Sequence, residues 1–230
     1  MKSLTSALAL VVFALPAAAQ TFNPGKLPAA SRDSFEVVYQ GQPIGSFVLA
    51  LAKAGDNYSY TGIANLAAMG VTETDSVVFN GATLAPVSMH NRGSMQGMST
   101  ASSITVAGGK ATGTAQRPGP NGIESIAVDA MVEPGVLADG AEIALLPTIA
   151  LSEGFSATFQ TLDGKSGKIK KYDLKVLANE KITISLGTFE TFKVQLTGEE
   201  TISVFITTAE PRRIVLMRIE GPGIEMRRTK

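Results

Sequence analysis

Short segments in which apolar and polar residues alternate recur along most of the chain, and turn residues separate them. Phe35 and Val37 fall on one face of the first segment, and Phe47, Leu49 and Leu51 fall on one face of the next. Alternation with a period of two is typical of strands that bury one face and expose the other. The pattern therefore predicts a mainly β protein whose sheet has one side in contact with water.

Turn residues between these segments predict antiparallel hairpins. Gly108-Gly109 joins two segments, and adjacent glycines permit the positive φ angles of a tight turn. Asp163-Gly164 is predicted to form the turn between two strands of the C-terminal half. In that half the predicted inward rows are Ile182, Ile184 and Leu186, then Phe192, Val194 and Leu196, then Ile202, Val204 and Ile206.

One short helix is predicted near the middle of the chain. Asp139 is expected to cap it, with Glu142 three residues later as the second member of a capping box. Pro147 limits the helix to about two turns, because proline removes a backbone donor and clashes with the preceding turn. Since no other large apolar element is available, we expect this helix to cover the concave face of the sheet. The predicted ligand pocket between them comprises Phe47, Leu49, Ile143, Leu145, Leu146, Ile149, Ile184, Phe192 and Val194.

The first nineteen residues have the pattern of a signal peptide. Lys2 supplies a short positive region, an apolar run extends from Leu4 to Leu15, and three alanines ending at Ala19 supply the small residues that signal peptidase needs. The apolar run is shorter than the roughly 20 residues of a spanning helix. We therefore expect cleavage after Ala19, export to the periplasm and no membrane span afterwards. The predicted organisation is a signal peptide at 1–19, an N-terminal extension at 20–33 and a single β domain at 34–230.

Composition narrows the classes of function. The chain has no cysteine, which excludes disulfides, thiol nucleophiles and thiolate metal sites. It carries 20 basic and 20 acidic residues, and removal of Lys2 with the signal peptide leaves a net charge of −1. Nucleic-acid binding usually requires a basic excess that releases counterions, so no nucleic-acid partner is expected. No cofactor is expected either.

The residues that most enzymes need are scarce. His90 is the only histidine, and no G-x-S-x-G elbow is present to supply a serine nucleophile. Gly164-Lys165-Ser166 resembles the end of a phosphate-binding loop, but the first glycine of that motif would fall at Phe159. No pair of acidic residues is marked out as catalytic. We therefore predict no catalytic residues and a protein that is not an enzyme.

A group of methionines lies near the only histidine. Met89, His90, Met95 and Met98 offer the thioether and imidazole ligands that suit Cu(I). Methionine more commonly fills irregular gaps in an apolar core. We expect no shared metal site here, and the sequence leaves open whether these residues have another role.

Several segments resemble those of a family of uncharacterised exported bacterial proteins. The opening hairpin is F-E-V-V-Y-Q-G-Q-P-I-G (Phe35–Gly45), and a later G-x-[F/Y]-x-x-[F/Y/W] turn uses Gly187, Phe189 and Phe192. A strand of the pattern P-R-x-[I/V/L]-V then begins at Pro211. The likeness covers roughly residues 34–228, and its motifs are structural rather than catalytic.

The resemblance implies a single curved antiparallel sheet, a half-barrel, wrapped around one short covering helix. That architecture is similar to the periplasmic lipoprotein carriers, which hold acyl chains between sheet and helix, while the family itself has no agreed activity. One hypothesis is a non-enzymatic periplasmic protein that holds an apolar or lipid-like ligand. The alternative is a cell-envelope scaffold, or a module that binds an envelope protein, with a filled core. An open volume behind residues 143–151 would favour the carrier, and a packed one the scaffold.

Overall fold

A computed structural model of the protein describes residues 21–119 and 122–230, so the predicted signal peptide and its cleavage site lie outside the described residues. The described chain is mainly β, with one short α-helix, α1 (Ala141–Leu145), which continues as a 3₁₀ turn over Leu146–Thr148. The strands are β1 (Ala30–Tyr39), β2 (Gln42–Ala54), β3 (Asn57–Leu66), β4 (Val71–Asn80), β5 (Pro86–Met95), β6 (Met98–Ala107), β7 (Lys110–Gly119), β8 (Gly122–Met131), β9 (Leu137–Ala138), β10 (Ser156–Leu162), β11 (Ile169–Val176), β12 (Glu180–Ile184), β13 (Gly187–Thr197), β14 (Thr201–Thr207), β15 (Ile214–Ile219) and β16 (Ile224–Arg228).

The strands form one sheet in the order β8-β7-β6-β5-β4-β3-β2-β1-β16-β15-β14-β13-β11-β10-β9, with β12 paired to β13. Its N-terminal half is a meander of eight strands, because each hairpin places the next strand beside the last. Pairing of β1 with β16 joins this meander to the C-terminal strands. The pairs are antiparallel except for the short parallel pair of β9 and β10. The predicted fold class, a single curved antiparallel sheet with one short covering helix, is confirmed.

The curvature of the sheet has local causes. The register shifts at Val37 in the β1–β2 pair and at Val78 in the β4–β5 pair, and such bulges bend a strand and increase its twist. Gly113 in β7 has a φ of +153°, and a Cβ at this position would overlap the Ser103 carbonyl oxygen of β6. Only glycine permits that approach, so the backbones of β6 and β7 can lie close together at this point.

The helix covers the concave face as predicted and completes the core. The exposed fraction of the side chain is 1% for Leu145 and 0% for Leu146 and Ile149. These residues pack in one cluster with the inward rows of the sheet, including Leu49 and Val194. No helix in the described part of the chain has the length and apolar character that a membrane crossing requires.

The predicted capping box at the start of this helix is wrong. The residue that caps α1 is Gly140, whose φ is +87° and which has no side chain that could form a cap hydrogen bond. The Asp139 carboxylate accepts a hydrogen bond from Thr161 instead. A left-handed glycine therefore replaces the side-chain cap and frees Asp139 and Glu142 for other contacts.

Ile184 does not face the concave side, and its assignment to the predicted pocket is wrong. It packs with Ile182 and Phe189 against a second, smaller cluster that contains Phe205 and Leu216. The β12–β13 hairpin thus covers the outer face of β14 and β15. Strand β14 is consequently buried on both faces, which period-two reasoning from one apolar face does not anticipate.

Residues 22–33 are part of the domain rather than an extension of it. Strand β1 begins at Ala30, and its first residues pair with β2. Phe22 is 1% exposed, and its ring meets that of Phe159 edge-on with centroids 5.3 Å apart. Since aromatic burial and this geometry both stabilise the contact, the segment closes one end of the core.

Candidate functional site

A cavity of about 320 Å³ lies between the sheet and the start of α1. One wall is apolar and includes Phe47, Ile143, Ile202, Met217, Ile219 and Met226. The polar wall is the set of polar lining side chains, which includes Tyr60, Asp75, Asn91, Asp139, Glu142, Asp163, Lys165 and Tyr172. Because the two walls differ in chemistry, the cavity suits a ligand with an apolar part and a polar end.

Strands β4 and β5 contribute one part of the polar wall. The Asn91 side-chain nitrogen donates to Glu73 Oε1 at 2.6 Å and to Asp75 Oδ1 at 2.7 Å. Lys165, from the turn between β10 and β11, forms an ion pair with Glu73. Burial raises the pKa of Asp75, and the hydrogen bond from Asn91 opposes that shift. Asp75 itself makes no ion pair within the described residues.

A second group of carboxylates gathers around Lys170. Its Nζ lies 3.4 Å from both Asp139 Oδ2 and Asp163 Oδ2. Burial raises the pKa of Asp139 against the attraction of Lys170. Burial acts in the same direction on Asp163, but hydrogen bonds from the Lys165 backbone N–H and the Ser166 hydroxyl hold the pKa of Asp163 below its usual value.

Glu142 is the most unusual group of the polar wall. It is 5% exposed, and its Oε2 atom has no hydrogen-bond partner among the described residues. Burial, followed by repulsion from Asp139, raises the pKa of Glu142 to about 8. A buried acceptor without a partner costs about 1–3 kcal/mol. This group therefore lowers the stability of the folded protein.

Tyr60 lies in the same wall and is close to the same carboxyl groups. It is 4% exposed, and its hydroxyl makes no hydrogen bond within the described part of the chain. A Cβ added at Gly62 would approach this hydroxyl to 2.8 Å, so glycine at that position leaves room for it. Burial, then the charges of Glu142 and Asp75, raise the pKa of Tyr60, which therefore stays a neutral phenol.

The charges of this wall do not balance. Four carboxyl groups line the cavity, those of Asp75, Asp139, Glu142 and Asp163, against the single lysine Lys165. Lys165 is paired with Glu73, and Lys170 is shared by Asp139 and Asp163. No group of three or more acidic or histidine side chains within the described ranges has the arrangement of a metal site. The wall presents excess acceptors and negative potential to the cavity.

Apart from Ile184, the predicted pocket residues fall into four sets. Phe47 and Ile143 line the cavity. Leu49 lines a second cavity of about 310 Å³ at the Pro147 side of the helix, together with Arg212. Phe192 is partly buried beneath the Arg212 guanidinium, which lies 5.2 Å from the ring centroid. The remaining concave residues, Leu145, Leu146, Ile149 and Val194, are buried within the core.

Sequence reasoning missed the polar wall, although one signal for it was present. Asp75 has the same strand phase as Val77 and Phe79, so its side chain belongs to the inward row of β4. An acidic residue in phase with buried apolar residues marks either a bulge or a polar site in the interior. No comparable signal identifies Glu142, because its position also satisfied a capping pattern.

The methionine and histidine residues are not gathered at one point. Met89 and His90 both line the cavity, Met89 with a side chain that is 2% exposed and His90 with an exposed one. Met95 and Met98 pair across the β5–β6 turn, where they are 45% and 37% exposed. Six residues of strand separate Met89 from Met95, a distance of roughly 20 Å.

Comparisons with known proteins agree with this architecture. Residues 34–223 match the family described as "Protein of unknown function (DUF3108)". No curated protein matches the chain. The fold is similar to the crystal structure of a beta-barrel-like protein of domain of unknown function DUF1849 from Brucella abortus, with a TM-score of 0.53 and 8% identity over 89% of this chain and 97% of that chain. At this identity the likeness concerns the fold alone.

Proposed function

The chain belongs to the DUF3108 family of proteins of unknown function, and we propose that it is a non-enzymatic binding protein that holds an apolar or lipid-like ligand in the cavity beneath α1. The observation that carries the proposal is the cavity of about 320 Å³ with its apolar wall. Ligand pockets typically have volumes of roughly 300–1,000 Å³ and mostly apolar linings, so the cavity falls within this class.

The position of the cavity supports a binding role. Ile143 projects from α1 on one side, and Phe47 of β2 and Met226 of β16 lie on the other, so a ligand would contact both halves of the sheet. Each apolar group removed from water by a ligand contributes about 25 cal/mol per Å². A ligand in this place would therefore stabilise the seam where β1 meets β16.

A role without catalysis agrees with the groups that are present. His90 is the only histidine, so a general base paired with a serine nucleophile would have to use it. The Asp163 carboxylate is occupied by Ser166 and Lys165, and that of Asp139 by Thr161 and Lys170. The polar wall is thus better suited to orient a ligand than to transform one.

We propose that the protein acts in the periplasm. The support is the pattern of residues 1–19, which combines Lys2, a short apolar run and small residues before Gln20. Export would place the cavity beside the lipids of the envelope, where apolar ligands are abundant.

A second candidate is an envelope scaffold or protein-interaction module, and one observation favours it. The core behind Leu145, Leu146 and Ile149 is filled, since these side chains are at most 1% exposed. The volume behind the helix is therefore packed at these three residues, while one cavity lies at the Pro147 side of the helix and the proposed ligand cavity opens at the first turn of α1. A scaffold would need no ligand at that opening.

Native mass spectrometry of the protein purified from the cell envelope tests the carrier proposal. We expect the wild type to retain an apolar molecule, and Ile143→Phe to retain less of it because the larger ring fills the cavity. Ile184→Phe is the matched control, since Ile184 is also a half-buried isoleucine but lies on the outer face.

Each outcome separates the two candidates. Loss of the ligand in Ile143→Phe but not in Ile184→Phe supports the carrier. A wild-type protein that carries no apolar molecule and binds none when N-phenyl-1-naphthylamine is added would overturn the carrier and leave the scaffold.

A further inference from the structure

We propose that the polar wall of the cavity binds a protonated amine carried on an apolar chain. This inference rests on the proposed function, because it names the polar end of the ligand whose apolar part the apolar wall would hold. It assigns a role to Glu142, Asp75 and Tyr60, which the apolar-ligand proposal leaves without one.

The first support is the unmatched charge. The Asp75 and Glu142 carboxyls line the cavity, and neither forms an ion pair within residues 21–119 and 122–230. The nearby lysines are engaged, Lys165 with Glu73 and Lys170 with Asp139 and Asp163. An ammonium close to an unpaired carboxylate gains a stronger attraction in a partly buried site than in bulk water, because the effective dielectric constant is lower there. A cation would therefore pair with Asp75, and with Glu142 once that carboxyl has released its proton.

The second support is the set of free acceptor atoms. Glu142 Oε2 is buried without a partner, and the Tyr60 hydroxyl has no hydrogen bond to any described residue. Buried polar atoms are normally satisfied by protein, water or ligand, and an exception requires an explanation. An ammonium carries several N–H donors and no acceptor, which matches a wall of oxygen acceptors.

The alternatives fit less well. A carboxylate or phosphate head would add negative charge beside four carboxyl groups and one lysine. A divalent metal ion needs several ligands that converge on one point, and the described side chains do not form such a group. The apolar wall of Phe47, Ile202 and Met226 also favours an organic cation over a hydrated ion.

The burial of Glu142 is consistent with this assignment. Its raised pKa means that the empty cavity holds a protonated carboxyl near neutral pH, with Asp139, Lys170, Tyr60 and Tyr172 as the titratable groups that interact with it. An ammonium would favour the ionised form and thereby release this proton on binding. In the complex, the ion pair between the ammonium and Glu142 would offset the destabilisation that burial of this carboxyl causes in the empty protein.

Isothermal titration of the delipidated protein at pH 7 with octylamine, octanol and octanoate tests the inference. We expect octylamine to bind at least about tenfold more tightly than octanoate, with octanol between them, because only the head group differs. Glu142→Gln and Asp75→Asn should each reduce the affinity for octylamine and leave that for octanol unchanged. Asp129→Asn is the control, since Asp129 is exposed on β8 and pairs with Lys110.

A fourth ligand distinguishes the source of the amine. Octanoyl lysophosphatidylethanolamine carries its ammonium on a phosphodiester head, whereas octylamine carries it directly on the chain. Tighter binding of either one than of octanoate supports the amine, and their order identifies a lipid head group or a free alkylamine as the source.

The remaining outcomes overturn one proposal or both. Equal affinity for the three octyl compounds, or preference for octanoate, overturns the amine and leaves the apolar cavity. Preference for octylamine that persists in both Glu142→Gln and Asp75→Asn also overturns it. If no octyl compound binds, the carrier proposal fails together with the amine.

Discussion

Glu142 lowers the stability of the fold, and the binding role that we propose for it would explain why a destabilising residue stands at this position. A carboxyl group that is 5% exposed and has an unpartnered oxygen weakens the fold, because the backbone N–H groups of Gly140 and Glu142 replace only part of the hydration that the charged form loses. Its neighbours increase the effect, since Asp139 adds repulsion. Groups of this kind, in a cavity and far from their usual pKa, are more often functional than structural.

The raised pKa makes stability depend on pH in a defined direction. The folded protein retains the Glu142 proton up to about pH 8, whereas the unfolded chain releases it near 4.5, so this group lowers the free energy of unfolding progressively as pH rises between those values. We predict that Glu142→Gln stabilises the delipidated protein at pH 9 by about 2–4 kcal/mol more than at pH 4.5. Urea unfolding at the two pH values measures the difference.

Glu124→Gln is a suitable control, because Glu124 is exposed and paired with Arg117 across β7 and β8. It should change stability little at either pH. A gain in Glu142→Gln that is the same at both pH values would show that the carboxyl does not change protonation between them.

At the scale of elements, the sheet is covered on both sides by short pieces of chain. The helix α1 and its 3₁₀ extension cover the concave face, and the β12–β13 hairpin covers part of the outer face. The two covering segments differ in how deeply their side chains are buried. Leu146 of the 3₁₀ extension is fully buried, whereas Ile184 of the hairpin is partly exposed. The helix should therefore contribute more to stability than the hairpin.

Leu146→Ala tests the contribution of the helix. We predict a loss of about 2–5 kcal/mol, because the change removes buried methyl groups and leaves a cavity in a packed region. Ile184→Ala should cost about 1–2 kcal/mol, since its surroundings can relax into solvent. Chemical denaturation of both variants measures the losses. Equal losses would show that the hairpin is as much a part of the core as the helix.

At the scale of the whole molecule, contacts between distant parts of the chain decide the architecture. β1 pairs with β16, so residues near 35 lie beside residues near 228. The backbone N–H of Ser34 donates to the Lys230 carbonyl at 3.2 Å, and Phe22 closes the core beside Phe159. The start of the described chain is therefore an integral part of the domain.

The N-terminal boundary yields a prediction at this scale. We expect the mature protein to begin at Gln20 and to occur in the periplasmic fraction, because the small residues before the cut end at Ala19. Cleavage there keeps Phe22, which the core needs. N-terminal sequencing of the exported protein checks the site. An intact Met1 in the membrane pellet would contradict both the cleavage and the periplasmic location.

Local patterns in the sequence predicted the class of fold and most of the core. Alternation identified the inward residues Phe47, Leu49, Val194, Val204 and Ile206, which pack in one cluster with the helix. Such rows can be predicted from the sequence because side chains alternate along a strand with a period of two, independently of the tertiary structure. The Gly108-Gly109 turn, with φ of +59° and +74°, follows equally local rules.

Tertiary structure alone decided the candidate site and the exceptions. Asp75 from β4, Glu142 from α1 and Asp163 from the β10–β11 turn meet in one cavity, although the sequence separates them widely. Ile184 does not lie on the concave face, because its hairpin packs on the outer side of β14. The pairing of the two halves of the sheet determines which strands are neighbours. The free energy of that pairing comes from contacts between distant parts of the chain and not from any local pattern.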